Sequence, residues 1–314
     1  MCPSWSIRHI PHHSTIIPES VRDQFLLTDD DLAKEIHLMT DHRTAELFGV
    51  EPEDVIAPIS RLVVDVERFT DDLLEPMAKR GMGAVYIRTH DGRPLRRPIT
   101  KDERQALLQA YYEPHHAMLT AAVSEAIQAH GGALIIDCHS YPAQALPYEL
   151  HPIRNRPAIC IGTDPHHTPA WLTETFTTAF KGFDVDINSP FSGALVPAKH
   201  YGQDRRVLAI MIEVRRDVYL DDRLEPIPDV VQRFQQALAA GTKAAYDGFI
   251  ERKKREESGQ RRLPRCPVAE FVGDELDRID AARAKHLRAC QIADKAGRPR
   301  PDLDDFMPER VWTK

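Results

Sequence analysis

Residues that can hold a metal and move a proton recur in this chain at the ends of apolar runs. Ala133-Leu134-Ile135-Ile136-Asp137-Cys138-His139-Ser140-Tyr141 follows Gly131-Gly132 and carries four apolar residues into a polar end. A short β-branched run after a double glycine reads as a buried strand of an α/β sheet. Ligands collect beyond the carboxyl ends of such strands. His139 is therefore either a metal ligand with Asp137 beside it or a satisfied structural histidine. Val207-Leu208-Ala209-Ile210-Met211-Ile212 leads in the same way into Glu213. A glutamate delivered by a buried strand needs a partner, either Arg215 in an ion pair or a proton it transfers. Pro11-His12-His13-Ser14-Thr15, with Pro18 beyond it, excludes helix. It puts two histidines in a loop after a strand expected at residues 6–10. Their side chains diverge, so at most one meets a given metal.

The elements that must position these groups follow from periodicity. Arg61-Leu62-Val63-Val64-Asp65-Val66-Glu67-Arg68-Phe69 alternates and is rich in valine, so it reads as a strand. Its arginines suit bidentate capture of a carboxylate or an ion pair with Asp65 or Glu67. Further strands are expected at 83–87, 158–164 and 184–188. Acidic residues open an amphipathic segment at 29–48, interrupted at Met39-Thr40-Asp41-His42-Arg43. Residues 101–130 are helical in pattern, and Pro114 is expected to kink or interrupt them just before His115 and His116. Another helix runs from the loop holding His166 and His167 to about Phe180, and a long one from Pro226 to about Lys254. The Ser189–Pro197 loop with Gly193, followed by Lys199-His200-Tyr201-Gly202, offers groups for an anionic substrate. Strands alternating with helices predict an α/β fold.

Composition bounds the rest. With 314 residues, 42% hydrophobic and 28% charged, the chain can bury a substantial core. A formal charge of −7 provides no global basic field, so nucleic acid is not an expected partner. No run reaches transmembrane length, and Met1–Trp5 is not followed by the apolar core of a signal peptide; a cytoplasmic protein off the membrane is expected. The five scattered cysteines form no Cys-x-x-Cys and are expected as reduced thiols. Character changes after Glu251, where Arg252-Lys253-Lys254-Arg255, Arg261-Arg262, Pro299 and Pro301 follow. The expected organisation is a domain over 1–250 and a charged helical extension over 251–314. That extension, with a helix at about 274–293, presents a solvated face or one open to homo-oligomer contact.

Taken in order, Pro-His-His-Ser at 11–14 with Pro18, Thr40-Asp41, Ser60–Asp65 with Glu67-Arg68, and Pro114-His115-His116 form an ordered set. It continues through Asp137-Cys-His139-Ser140, Asn188–Gly193, His200-Tyr201-Gly202 and Glu213 with Tyr219. This set resembles the N-formylglutamate amidohydrolase (deformylase) family. His139-Ser140-Tyr141 and Ile212–Asp217 are also similar to two motifs of the zinc carboxypeptidase superfamily. The resemblance implies a mixed central sheet flanked by helices, of the phosphorylase/hydrolase-like, zinc carboxypeptidase-like type. It implies one zinc ion, held by His12, His139 and Asp41, with His13 and His42 in reserve. It also implies Glu213 as the catalytic base, and Arg61, Arg68, Gly193 and His200 at the substrate, with Asp137 and His116 supporting. The activity implied is hydrolysis of an N-formyl or other small N-acyl amino acid such as N-formylglutamate. The alternatives are a zinc carboxypeptidase, a larger-acyl deacylase, or a non-catalytic binding protein on the same fold. Departures from the family pattern are Thr15 in place of the superfamily's His-x-x-Glu glutamate, His13 for serine, Ser14 for glycine, Glu67 for asparagine, and Pro-Phe-Ser-Gly in the substrate loop.

Overall fold

The computed structural model describes residues 4–150 and 152–258. The helix expected at 274–293 lies outside them. The chain divides into one compact unit, Met1–Gly248, and a second, Phe249–Lys314. Among the described residues, six strands form one sheet: β1 (Ser6–Ile10), β2 (Val55–Ile56), β3 (Ala133–Tyr141), β4 (Ile159–Gly162), β5 (Val185–Ile187) and β6 (Val207–Arg215). Their order is β2-β1-β3-β6-β4-β5, and the sheet is mixed: β4 runs antiparallel to β6, and all other neighbours are parallel. Every residue of β3 is buried, and every residue of β6 up to Val214, as near-continuous apolar runs require when both faces of a parallel sheet are covered.

The helices are α1 (Glu19–Arg22), α2 (Asp29–Met39), α3 (Thr44–Phe48), α4 (Lys101–Leu107), α5 (Glu113–His130), α6 (Ala170–Ala179), α7 (Arg216–Tyr219) and α8 (Pro228–Glu257). Leu119, Val123 and Ala126 of α5 form a stripe at helical spacing. That stripe packs on Ile7, Ala133, Ile135, Val207 and Ala209 of the sheet. Each fully buried side chain of this size contributes about 1.5–3 kcal/mol. An aromatic cluster joins three other helical segments: Phe234 of α8 stacks on Phe180 at 5.3 Å and meets Phe48 of α3 edge-on at 5.1 Å. Gly241 lets α8 approach α6, since a Cβ there would lie 3.1 Å from both Ala179 and Phe176.

Three expectations change. Residues 61–69 and 83–87 are not strands but turns and bends, buried over 61–66 and 83–86. The carbonyls of Leu62 and Val63 are taken by the Arg96 guanidinium at 2.9 and 3.1 Å, and the Asp65 N–H by the Ala84 carbonyl at 2.8 Å. With these partners the segment needs no sheet ladder, and Val63 and Val64 line a core with Met82, Ala84 and Tyr86. Pro114 does not break its helix. It sits in the first turn of α5, after a π-helical turn at Leu108–Tyr112 that links α4 to α5; the wider turn absorbs the missing N–H. Among the described residues, no helix is long and apolar enough to cross a membrane.

Candidate active site

Strand register assembles the site. His9 pairs with Asp137 across β1 and β3, and His139 with Glu213 across β3 and β6. Alternation along a strand sends side chains two apart to one face. His9 thus follows Ile7, Asp137 and His139 follow Ala133 and Ile135, and Glu213 follows Val207 and Ala209, all onto the face that α5 covers. His12 comes two residues after β1 ends. The interruption between α2 and α3 brings Asp41 to it: the Asp41 N–H donates to the His12 carbonyl at 3.0 Å.

The two histidines turn the same atoms towards Asp41. Asp41 Oδ2 lies 3.2 Å from His139 Nδ1 and 3.7 Å from His12 Nδ1. On the opposite side, His12 Nε2 contacts Asp65 Oδ1 at 2.9 Å, and His139 Nε2 lies 3.1 Å from Glu67 and 3.2 Å from Asp137. His12 Nδ1 and Glu213 Oε2 are buried without a hydrogen-bond partner. A buried polar atom left bare costs about 1–3 kcal/mol, so these two atoms point to an absent ligand. Metal-bound histidines donate their other N–H to a carboxylate. Asp65 behind His12, and Asp137 with Glu67 behind His139, stand in that relation. The donor set therefore fits a small divalent cation at the Nδ1 side. His12, Glu67 and His139 also have donor atoms within 4.8 Å of one another.

Charge is concentrated here. Burial pushes the Glu213 carboxyl up to about 8; His139 opposes the rise, and Asp41 and Glu67 add to it. Burial would also raise Asp41, but the neighbouring imidazoles of His12 and His139 hold it well below the usual carboxylate range. Burial disfavours a charged His139, yet the Glu67 and Asp137 carboxylates raise its pKa well above the ordinary value. Asp65 is buried too, and the Arg61 guanidinium holds it low.

The other expected site residues are spread more widely. Arg61 is buried and committed to Asp65 at 2.8 Å and to the Tyr86 hydroxyl at 3.2 Å. Arg68 is looser, 3.5 Å from Asp65 and 3.7 Å from Glu75. His116 Nε2 bonds the Val66 carbonyl at 2.7 Å and so holds the Asp65–Arg68 segment. Arg215 turns to Asp217 at 2.7 Å, not to Glu213. Gly193 approaches Gly162, which pairs with Met211, one alternation back from Glu213. His13 and His42 do not join the group: the His13 Nδ1 has no partner, and His42 Nε2 bonds the His37 carbonyl at 2.7 Å. The expectation for His200 is not met. Its Nδ1 bonds Asp204 at 3.1 Å, and its turn is tied to His167, which contacts the Val207 carbonyl. That is the amino end of β6, where Val207 stands six residues, about 20 Å along the strand at roughly 3.3 Å per residue, before Glu213.

Five residues near the site had no assigned role: His9, Asp65, Glu67, His115 and Arg216. Arg216 contacts Asp41 Oδ1 at 3.3 Å. His9 and His115 were visible as histidines interrupting apolar stripes on β1 and α5. Asp65 and Glu67 stood in the sequence as ion-pair partners for the neighbouring arginines, with nothing local to link them to the histidines.

The sequence model of the N-formylglutamate amidohydrolase family matches residues 6–220. An N-formylglutamate amidohydrolase from Ralstonia eutropha JMP134 superposes with a TM-score of 0.64 at 20% identity, over 77% of this chain and 93% of that one. The gene product Atu2144 from Agrobacterium tumefaciens gives 0.53 at 20% identity, over 80% of this chain and 92% of that one. No curated protein matches the sequence. With the family match spanning most of the described fold and the site it carries, the chain belongs to the N-formylglutamate amidohydrolase family.

Proposed function

We propose that this protein hydrolyses the amide of an N-formyl or other small N-acyl amino acid, N-formylglutamate first among them, with one zinc ion held by His12 Nδ1, His139 Nδ1 and Asp41 Oδ2. The observation that carries the reading is the pair of bare buried atoms, His12 Nδ1 and Glu213 Oε2, beside a carboxylate shared by two histidines. Zinc held there would supply Lewis acidity, polarising a carbonyl and acidifying water. Glu213 takes the proton from the attacking water and returns it to the leaving amine as the C–N bond breaks. A carboxyl that titrates near neutrality suits both halves of that transfer. Arg68 receives the substrate carboxylate, since its guanidinium contacts are the longer ones; Arg61 assists chiefly by fixing Asp65 behind His12. Metal analysis of the purified protein, with a panel of formyl, acetyl and succinyl amino acids and dipeptides, tests the reading. One zinc per chain and formate release from N-formylglutamate that a chelator abolishes are expected. A chain without metal, in which added zinc restores no hydrolysis of any member, refutes it.

A further inference from the structure

We infer that Phe191 sets the size of the acyl group: its ring fills the side of the site on which that group must lie, so a formyl group fits and an acyl group with further carbons does not. This inference rests on the amide hydrolysis proposed above. Arg68 fixes the amino-acid end of the substrate, and its guanidinium stays 3.5 Å from Asp65, the carboxylate behind His12. His12 follows β1, so that end lies over β1 and β3. A planar amide keeps its acyl substituent on the far side of the carbonyl carbon from its amine. With the amine towards Arg68 and the carbonyl carbon beside Glu213, the substituent points over β6 and β4.

Phe191 stands there. Cys160 on β4 pairs with Glu213 on β6, and its Sγ donates to the Phe191 carbonyl at 3.2 Å. Four residues on, the Leu195 N–H donates to Asp137 Oδ2 on β3 at 2.7 Å. The stretch from Phe191 to Leu195 therefore passes from β4 to β3 across β6, on the face that carries Glu213 and His139. Tyr141, two residues after His139 and so on the same face, meets the Phe191 ring edge-on at 5.6 Å. Burial pushes the Tyr141 phenol and the Cys160 thiol up, and the Glu213 carboxylate adds to both, so these groups share one enclosed space.

The ring is held from several sides. The Arg156 guanidinium lies 5.2 Å from the Tyr141 ring and 5.6 Å from the Phe191 ring. Arg156 is itself tied to the Pro142 carbonyl at 2.9 Å and to buried Glu149, and the Tyr141 hydroxyl donates to the Pro157 carbonyl at 2.6 Å. Phe191 cannot swing aside for a larger acyl group without giving up these ring contacts. Packing alone is the competing account, and it predicts an equal loss for every acyl substrate when the ring is removed.

The test measures kcat/KM of wild type, Phe191→Leu and Phe191→Ala on N-formyl-, N-acetyl- and N-propionylglutamate. Formyl amides are inherently easier to attack, so the readout is the change in the formyl-to-acetyl ratio between proteins. One methylene against a filled apolar wall is worth about 10–200-fold. Phe191→Ala is therefore expected to lower the ratio about 10-fold or more, by gaining on the acetyl and propionyl substrates outright. Phe191→Leu should fall between, and it carries the same sign if the alanine variant does not fold. A second readout needs no turnover: in calorimetric titration of the chelated proteins, Phe191→Ala should gain affinity for N-propionylglutamate and keep that for N-formylglutamate. An unchanged ratio, with all three substrates falling together, overturns the inference and assigns Phe191 to packing. A wild type that hydrolyses none of them with zinc sinks the amide-hydrolysis reading instead, and the binding order then decides on Phe191.

Discussion

The buried carboxyl of Glu213 makes the site's electrostatics measurable without any substrate. In the folded, metal-free protein its pKa is pushed from 4.5 up to about 8, chiefly by burial. Between those two values the unfolded chain has released a proton that the fold still holds. A raised carboxyl pKa contributes stability that is fully present below the lower value and is lost as pH rises through the upper one. At about 1.4 kcal/mol per pH unit, the loss amounts to roughly 5 kcal/mol by pH 8. Glu213→Gln keeps the shape and removes the titration. Urea unfolding of the chelated proteins at pH 5 and pH 8 is the assay, because groups shared by both proteins cancel in the comparison. Wild type should lose ground to Glu213→Gln across this range, by a midpoint shift on the order of 1 M urea. Saturating zinc places positive charge beside the same carboxylate and favours its ionised form, so it should shrink the gap. Parallel pH profiles for the two metal-free proteins would refute the argument.

Other residues give sharper separations of binding from folding. Arg68→Ala should raise KM for N-formylglutamate about 10–100-fold and change kcat less, as loss of a charge-assisted contact worth about 1.5–3 kcal/mol requires; steady-state kinetics decide. Arg61→Ala instead strips buried Asp65 of its main counter-charge and should cost about 3–5 kcal/mol in unfolding free energy. Gly162→Ala would put a Cβ 2.5 Å from the Gly193 carbonyl oxygen and against the Met211 side chain. Overpacking of that kind costs about 1–3 kcal/mol, and a thermal melt no lower than wild type would show that the Ser189–Pro197 loop yields freely.

What the sequence disclosed follows from how local each signal is. β3 and β6 announce themselves because nine-residue strands buried on both faces must be apolar nearly throughout. The same pattern marks His139 and Glu213 as exceptions at the carboxyl ends. Their mutual register is not local, and neither is the approach of Asp41 from an interrupted helix to the end of β1. Only the ordered likeness to a family joined those pieces. Residues 61–69 misled because a valine-rich alternation shows nothing of backbone partners: Arg96, far along the chain, supplies the hydrogen bonds a strand neighbour would have supplied. His200 misled for the opposite reason. Its neighbours carry polar groups suited to an anion, but Phe191 and His200 are held at opposite ends of β6. Cys160 Sγ holds the Phe191 carbonyl beside the strand position of Glu213, while the turn of His200 is tied through His167 to the Val207 carbonyl.

If the proposed zinc binds, two carboxylates are placed to hold it, and the histidine tautomers choose between them. Glu67 reaches the Nε2 side, 3.1 Å from His139 and 3.7 Å from His12. Asp41 reaches the Nδ1 side, at 3.2 and 3.7 Å. On the Nε2 side His12 already contacts Asp65 at 2.9 Å, a carboxylate held ionised by Arg61 and therefore able only to accept. That nitrogen must bear the proton, and a protonated nitrogen is not a ligand. Its Nδ1 is consequently the free electron pair, and it is the atom left bare in the core. Asp41→Asn should therefore weaken zinc binding at least 100-fold, whereas Glu67→Gln, which changes only outer contacts on the Nε2 side of His139 and His12, should weaken it by no more than about 10-fold. Competition against a zinc chelator at neutral pH measures both. The reverse ranking would place the ion on the Nε2 side with Glu67 as its carboxylate, and would require the His12–Asp65 contact to break when zinc binds.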